Sequence, residues 1–356
     1  MRVQYRTQRS HGRAAAAAAA AAAAIGVAAT LAAGPAQATP VQARAAVVDD
    51  VLTISGTNAA DQITVDFTAL DSVVVDLGGN SGPRRFDRST FHSASVSLHA
   101  GDDDFRTLTG GPLADVPMTI TTGAGNDSAV MGAGNDVVNG GSGEDFLLGG
   151  AGTDLVVSGT GADFVNGGVG TDVEVLGNGD DTAAWNPGEG NDTVVGGHGR
   201  DTLAFNGSDA DELMSLSANG QSAVFLRSPG NIRMDLESVE RLDLATFGGS
   251  DAVTIGDLSG TDVTVAEIDL ASTRGAADAR DDTVRVTGSG QADHVDVTAD
   301  GGAVDVAGLS ARTVVTGGDP TDRLQIDTLG GDDRVNVTDG ARALLDIRSD
   351  LGADQS

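Results

Sequence analysis

The stretch from residue 140 to residue 157 reads GGSGEDFLL-GGAGTDLVV, two consecutive copies of one nine-residue unit. The central part of this unit, Gly-x-Gly-x-Asp, occurs nine times between Gly123 and Asp201. The first seven of its Asp residues are spaced nine apart, and a gap of 11 across Trp185 and Pro187 precedes the last two. An apolar residue lies two positions after most of these Asp residues. A flexible Gly/Asp-rich linker is the alternative interpretation, but a linker needs no apolar residue at a fixed phase.

Each unit holds the parts of one turn and one strand. Two Gly residues separated by one position let the backbone adopt positive φ and turn tightly. The apolar position that follows suits a strand of about three residues with its middle side chain turned inward. Two units then make one coil with two strands, and successive coils stack with strands about 4.8 Å apart. The pattern predicts an all-β fold, a parallel β-roll or β-helix solenoid with imperfect flanking coils.

Stacking places every second Asp on the same edge of the roll. One predicted edge carries Asp127, Asp145, Asp163 and Asp181, and the other carries Asp136, Asp154 and Asp172. Carboxylates about 4.8 Å apart repel one another, by about 1 kcal/mol in water and more when desolvated. A hard divalent cation between them reverses the sign, and calcium suits best because it takes about 6–8 oxygen ligands, carbonyls included, in flexible geometry. Magnesium needs a stricter octahedron, and zinc or copper prefers His or Cys.

Residues 123–206 closely resemble the RTX, or hemolysin-type, calcium-binding repeats of secreted bacterial proteins, whose nonapeptide is G-G-x-G-x-D-x-U-x. The resemblance implies a right-handed parallel β-roll that holds several calcium ions between the turns of successive coils. It also implies that the Asp at position six and the backbone carbonyls of the adjoining Gly-rich turns are the ligands. The metal-ligand residues implied in this way are Asp127, Asp136, Asp145, Asp154, Asp163, Asp172, Asp181, Asp192 and Asp201.

Some copies depart from the family pattern. Glu174 occupies an apolar position, and Ala129 and Ala183 underfill theirs. The Gly at position one is replaced in five copies, by Thr122, Met131, Ser158, Leu176 and Pro187. These departures bear on the packing of individual coils.

Composition excludes several classes of function. The chain has 356 residues and a formal net charge of −31, so it repels nucleic-acid phosphates and we expect no nucleic-acid partner. It contains no Lys, which excludes a P-loop lysine and Schiff-base chemistry. It contains no Cys, which excludes thiol catalysis, disulfides and thiolate metal sites.

The N-terminus has the organisation of a secretory signal peptide. Residues 1–13 carry four Arg and no acid, an Ala run follows from Ala14 to Ala24, and Ala36-Gln37-Ala38 supplies a small-x-small site. We expect a signal peptide over residues 1–38 and a secreted, extracellular protein. The apolar region is longer than usual for such a peptide, so an uncleaved membrane anchor is the alternative. No later stretch is apolar enough for a membrane span, so none is expected after signal cleavage.

The regions on either side of the repeat segment (121–206) are predicted to form less regular β-structure. Residues 39–120 are predicted to form a β-rich N-terminal cap, and residues 207–341 an imperfect solenoid extension. Two segments in the flanks are similar to the calcium turn: Gly101-Asp102-Asp103 resembles half of the motif, and Gly330-Gly331-Asp332-Asp333 approaches it. The segment that begins at Gly249-Ser250-Asp251 has the form of an Asp followed by an alternating apolar strand. The segment 209–241 is expected to be a hairpin or a short helix packed on the roll. Residues 342–356 are predicted to be a frayed polar tail.

No catalytic motif is recognisable. The five His residues form no H-E-x-x-H, and no G-x-S-x-G is present, so no catalytic residue is predicted. His198 reads as a solvent-facing turn residue. Trp185 is predicted to cap a coil, with a ligand platform as the alternative.

The sequence therefore favours an exported, non-catalytic calcium-binding β-roll that folds on calcium outside the cell. Its role would be structural or surface-binding, and cell-surface or matrix polysaccharide is the candidate partner. The alternative is an extracellular polymer-acting enzyme, a polysaccharide hydrolase or lyase on a β-helix scaffold.

Overall fold

A computed structural model describes residues 42–79, 82–108, 115–272, 275 and 280–352. These residues are nearly all β-structure. The chain divides into two compact units, Met1–Thr182 and Ala183–Ser356, and the boundary falls inside the repeat segment. The predicted signal peptide, residues 1–38, lies outside the described residues.

The described part of the first unit consists of short strands and one 3₁₀ turn, Arg88–Thr90. Its strands are β1 (Arg44–Val48), β2 (Val51–Ser55), β3 (Gln62–Asp66), β4 (Ser72–Asp76), β5 (Arg84–Asp87), β6 (Ser93–Ser97), β7 (Asp104–Leu108), β8 (Met118–Ala124), β9 (Ser128–Val130), β10 (Val137–Ser142), β11 (Phe146–Gly152), β12 (Leu155–Thr160), β13 (Phe164–Gly170) and β14 (Val173–Asn178).

Successive repeat strands of the first unit alternate between two sheets. One sheet has the order β1-β2-β6-β8-β10-β12-β14, and the other has the order β5-β4-β3-β7-β9-β11-β13. Neighbouring strands are parallel except at β1–β2 and within β3–β4–β5. Val138 pairs with Val156, and Leu147 with Val165, so each coil is 18 residues long. This register confirms the parallel β-roll predicted from the nine-residue spacing.

The core of this roll is one side chain deep on each sheet. The apolar position after each Asp points inward, and Leu147, Val156 and Val165 are fully buried there. Ala129 is buried at the same position although it is smaller. Glu174, which breaks the apolar pattern, is also buried, and its Oε1 accepts a hydrogen bond from the Gly167 backbone N–H. A backbone donor therefore replaces apolar packing at that coil.

The second unit repeats the two-sheet arrangement with longer and less regular coils. Its strands are β15 (Thr182–Trp185, beginning at the last residue of the first unit), β16 (Thr193–His198), β17 (Thr202–Ser208), β18 (Leu213–Asn219), β19 (Ser222–Ser228), β20 (Ile232–Glu237), β21 (Arg241–Phe247), β22 (Ala252–Ile255), β23 (Val265–Asp269), β24 (Thr283–Thr287), β25 (His294–Asp300), β26 (Ala303–Ala307), β27 (Arg312–Thr316), β28 (Arg323–Asp327), β29 (Arg334–Val337) and β30 (Asp346–Asp350), and its helix is α1 (Asp339–Arg342).

Antiparallel excursions interrupt the second unit. One sheet has the order β16-β20-β19-β18-β22-β24-β28-β30, and the other has the order β15-β17-β21-β23-β27-β26-β25-β29. The segment 209–241 forms β18, β19 and β20, which pair antiparallel, so the hairpin alternative is confirmed and the helix alternative is wrong.

The helix α1 has four residues and is far too short to span a bilayer, and no described helix reaches the length and apolarity that a span requires.

The C-terminal segment is more ordered than its composition indicates. The prediction of a frayed polar tail from residue 342 is wrong for β30, which pairs in parallel with β28 through Leu324 and Ile347. The side chain of Ile347 is buried, and this apolar contact holds the strand against the rest of the unit. Residues 353–356 lie outside the described part of the chain.

Trp185 lies in the core of the second unit. Its ring stacks on Phe205, with ring centroids 4.2 Å apart, and its Nε1 donates to the Gly190 carbonyl at 2.9 Å. The ring is fully buried, so it is a packing residue and not a ligand platform. Beside it, the buried carboxylate of Glu212 pairs with the guanidinium of Arg227, which lies over the Trp185 ring.

His198 is exposed at the end of β16, as predicted for a solvent-facing residue.

Candidate metal centre

Two columns of Asp residues run along the turns of the first unit. In one column each backbone N–H donates to the carboxylate one coil ahead: Asp127 to Asp145 Oδ1 at 2.9 Å, Asp145 to Asp163 at 2.9 Å and Asp163 to Asp181 at 2.8 Å. The second column joins its residues in the same way, at 2.8 Å for each bond, in the order Asp136, Asp154 and Asp172. The structure therefore brings together the seven residues that were predicted to share the two edges.

The carboxylates in these columns are buried and only half satisfied. Asp145 and Asp154 are 3 % and 2 % exposed, and one oxygen of each, Oδ1, accepts the N–H described above. The second oxygen, Oδ2, has no hydrogen-bond partner within the described part of the chain. The same holds for the Oδ2 atoms of Asp127, Asp136 and Asp163. A buried carboxylate oxygen without a partner is costly, and a bound cation is one way to compensate it.

Glycines bring carbonyl oxygens to the same turns. Gly143 and Gly161 have φ of +130° and +147°. A Cβ on Gly143 would lie 1.8 Å from the Gly125 carbonyl oxygen, and one on Gly161 would lie 1.7 Å from that of Gly143. Carbonyls at position four therefore point along the stack toward the next coil. Only glycine leaves room for them, which explains the fixed Gly-x-Gly spacing.

Burial also changes the acidity of the column. It raises the pKa of Asp136, Asp145 and Asp154 to about 7 each. The N–H bond to each carboxylate opposes this rise, and the negative charge of the next Asp in the column adds to it. Ionising these groups inside the roll is therefore unfavourable unless a positive charge joins them.

Protonation of the buried Asp carboxylates should stabilise the calcium-free roll in part, because it removes their negative charge. A carboxylate whose pKa is higher in the folded state than in the unfolded state binds more protons when folded, between about pH 4 and pH 7. Folding of the calcium-free chain should therefore become more favourable as the pH falls through 7. We expect β-sheet circular dichroism in chelator to be stronger at about pH 5 than at about pH 8. Asp154→Asn, which removes one of these groups, should show a smaller change, and equal spectra at both pH values would contradict the pKa shifts.

The donor set suits calcium. Each turn offers at least one carboxylate and several carbonyl oxygens, which are hard ligands. Among the described residues, no three His, Cys, Asp or Glu side chains converge on one point, so side chains alone hold no metal there. An ion between two turns would therefore take most of its ligands from the backbone, which calcium accepts and zinc does not.

The last two predicted ligands lie in the second unit and have different surroundings. Asp192 and Asp201 are buried like the others. The backbone N–H of Asp201 donates to Glu240 Oε2 at 2.7 Å, and the Asp192 carbonyl accepts from the Asp235 N–H at 2.9 Å. On one side, the chain next to these turns comes from β20 and the residues after it, not from another nonapeptide. No periodic signal in the sequence points to Glu240, because it lies 39 residues after Asp201.

Several acidic residues outside the predicted ligand set are also buried in N–H relays, and Asp103, Asp251 and Asp282 are examples. The Asp103 N–H donates to Asp127 Oδ1, and the Asp251 N–H donates to Asp282 Oδ1, both at 2.8 Å. Asp103, Asp251 and Asp282 are all buried. Gly101 marked the turn of Asp103 in the sequence, and Gly249, two residues before Asp251, is the signal that could have marked the turn of Asp251.

Comparison with known families agrees with this geometry. A family model of the RTX calcium-binding nonapeptide repeat matches four copies, in residues 119–147, 148–183 and 188–209. No curated protein matches the chain.

Proposed function

We propose that this chain, whose residues 119–209 carry RTX calcium-binding nonapeptide repeats, is an exported protein that completes its folding when calcium binds outside the cell. The observation that carries the proposal is the pair of buried Asp columns, in which Oδ2 atoms such as that of Asp145 lack a partner beside carbonyl-lined turns. Bound calcium would supply the positive charge that these oxygens need.

Calcium concentration would set the place of folding. Extracellular calcium modules bind with dissociation constants of about 10⁻⁴–10⁻³ M, above the calcium levels at which intracellular sensors respond. A chain with a net charge of −31 repels itself when no cation is bound. Because the site forms only in the folded roll, calcium binding and folding are coupled. The chain would thus stay loose before export and become compact after it.

Export is supported by the sequence of residues 1–38, with its basic start, Ala-rich stretch and Ala36-Gln37-Ala38 site. Mass spectrometry of the protein recovered from the culture medium tests this part of the proposal. A mature chain beginning at Thr39 is the expected result, and a chain retained in the cells with Met1 would contradict it.

The role outside the cell would be non-catalytic, in a structure or at a surface, with cell-surface or matrix polysaccharide as the partner. The buried Asp columns are explained by calcium and need no catalytic role. Binding of the calcium-loaded chain to cell-wall polysaccharide without release of reducing ends is the expected result. Release of reducing ends or of unsaturated products would instead establish a polymer-acting enzyme.

A comparison of two single substitutions tests the calcium sites themselves. Asp154 lies between two neighbours in its column, Asp136 and Asp172, while Asp192 has non-repeat chain on one side. Asp154→Ala should therefore lower calcium affinity more than Asp192→Ala, and we expect at least a tenfold difference, which is about 1.4 kcal/mol. Titration calorimetry of both variants measures this difference, and equal losses would contradict the assignment of the column.

A further inference from the structure

One turn that precedes the matched repeats has the same backbone design. Residues His99, Gly101 and Asp103 occupy the places that Gly, Gly and Asp take at positions two, four and six of a repeat. The family match begins only at residue 119. The turn belongs to the first unit, and the next coil in its column carries the repeat turn 123–127.

The backbone of this turn follows that of the repeats closely. His99 has a φ of +80°, the left-handed conformation that favours glycine, and Gly101 has a φ of +121°. A Cβ on Gly123 would lie 2.0 Å from the His99 carbonyl oxygen, and one on Gly125 would lie 1.9 Å from that of Gly101. These values match the 1.8 Å between a Cβ on Gly143 and the Gly125 carbonyl oxygen inside the repeats. The turn therefore presents its carbonyls to the next coil as a repeat turn does.

Asp103 completes the resemblance. Its side chain is 2 % exposed, its backbone N–H donates to Asp127 Oδ1 at 2.8 Å, and its Oδ1 accepts from the Asp61 N–H at 2.7 Å. Its Oδ2 is buried and has no hydrogen-bond partner in the part of the chain that the structure describes. This is the same half-satisfied state that Asp145 shows inside the repeats.

The turn one coil earlier is different and marks the end of the series. Asp61 also stands in the column, but its Oδ2 accepts from the Thr57 N–H at 2.6 Å and from the Thr57 hydroxyl at 3.1 Å. Neutral donors of its own loop already satisfy that oxygen. Asp61 therefore needs no cation, whereas Asp103 does.

The charge at the Asp103 turn strengthens the case. Asp102 Oδ1 accepts from the Asn126 N–H at 2.9 Å, and in the next coil the neutral amide Oδ1 of Asn126 accepts from the Glu144 N–H at the same distance. The turn 99–103 thus has two adjacent carboxylates where the turn 123–127 has one. A divalent cation has more negative charge to neutralise here than at the repeat turn.

We infer that the turn 99–103, together with the repeat turn 123–127, binds a calcium ion through Asp103 and the carbonyls of His99 and Gly101. The site lies outside the matched repeats, and the inference rests on the proposed calcium binding by the repeats. The calcium sites stacked along the repeats would then continue by one coil toward the N-terminus and end before Asp61.

Counting calcium on the full chain tests the inference. Equilibrium dialysis against calcium is performed on the parent chain and on Asp103→Asn, Asp61→Asn and Asp145→Asn. Asp103→Asn should bind one ion fewer than the parent, Asp61→Asn the same number, and Asp145→Asn at least one fewer. If Asp103→Asn keeps the parent number while Asp145→Asn loses an ion, the inference is wrong and the proposed function stands. If the parent chain binds no calcium, the proposed function fails, and the inference fails with it.

A crystallographic measurement covers the case in which Asp103→Asn does not fold. Crystals of the calcium-loaded full chain should show an anomalous difference peak between the turns 99–103 and 123–127, in addition to peaks within the repeats. Peaks confined to the repeats would overturn the inference while supporting the proposed function.

Discussion

Chelation of calcium from the purified chain at about pH 8 should remove most of its far-UV β-sheet circular dichroism, and about 10 mM calcium should restore it. The reason is the set of buried carboxylates in the Asp columns. Asp136, Asp145 and Asp154 have pKa values raised to about 7, so they are largely ionised at pH 8 and unfavourable inside a calcium-free roll.

The size of the effect follows from mass action. A site that binds only the folded state stabilises it by about 2.7 kcal/mol when calcium is present at about 100 times the dissociation constant. Several such sites together reach the whole stability of an ordinary domain, which is about 5–15 kcal/mol. Calcium binding is thus large enough to decide whether the roll is folded.

Magnesium at the same concentration is the matched control. It requires near-ideal octahedral geometry and gives up its water reluctantly, so turns that offer mostly carbonyls should hold it poorly. We expect magnesium to restore little of the β-sheet signal. A spectrum that stays the same in chelator would show that folding does not depend on calcium.

The regular part of the fold was predictable because Gly at positions two and four and Asp at position six recur in every copy of the repeat. The nine-residue spacing fixed the 18-residue coil, which the pairing of Leu147 with Val165 shows directly. It also fixed the two Asp columns, because residues in register must lie one above another. The turns recur every nine residues and the paired strands every 18, so a single repeat in the sequence predicts both the turns and the pairing.

The irregular parts were less predictable, because their pairing depends on distant chain. Glu240 meets Asp201 after a 39-residue excursion through three antiparallel strands, and no spacing rule links the two. His99 adopts a positive φ that its residue type does not indicate, so the turn before Asp103 looked like only half of a motif. Trp185 stacks on Phe205 and is buried there, and no spacing rule links these two residues either.

Gly161→Ala should unfold the roll or leave it unable to fold even in saturating calcium. Gly161 has a φ of +147°, and an added Cβ would lie 1.7 Å from the Gly143 carbonyl oxygen. Backbone strain of this kind costs about 1–3 kcal/mol before the steric overlap is counted. The overlap cannot be relieved by rotating a side chain, because the atom that it meets belongs to the backbone of the previous coil. Relief would require the two coils to separate, which breaks the ladder between β10 and β12 and moves the carbonyl away from the next turn.

Gly290→Ala is the matched control, because a Cβ on Gly290 would meet nothing within 4 Å and the residue does not have a positive φ. Both variants remove one glycine and add one methyl group, so a general effect of composition should be the same in both. Thermal unfolding in calcium should show Gly290→Ala near the parent midpoint, while Gly161→Ala shows no cooperative transition or a midpoint lower by more than about 10 °C. Similar midpoints for the two variants would show that the position-four glycines do not hold the turns in close contact. In that case the fixed Gly-x-Gly spacing would need an explanation other than the approach of carbonyl oxygens along the stack.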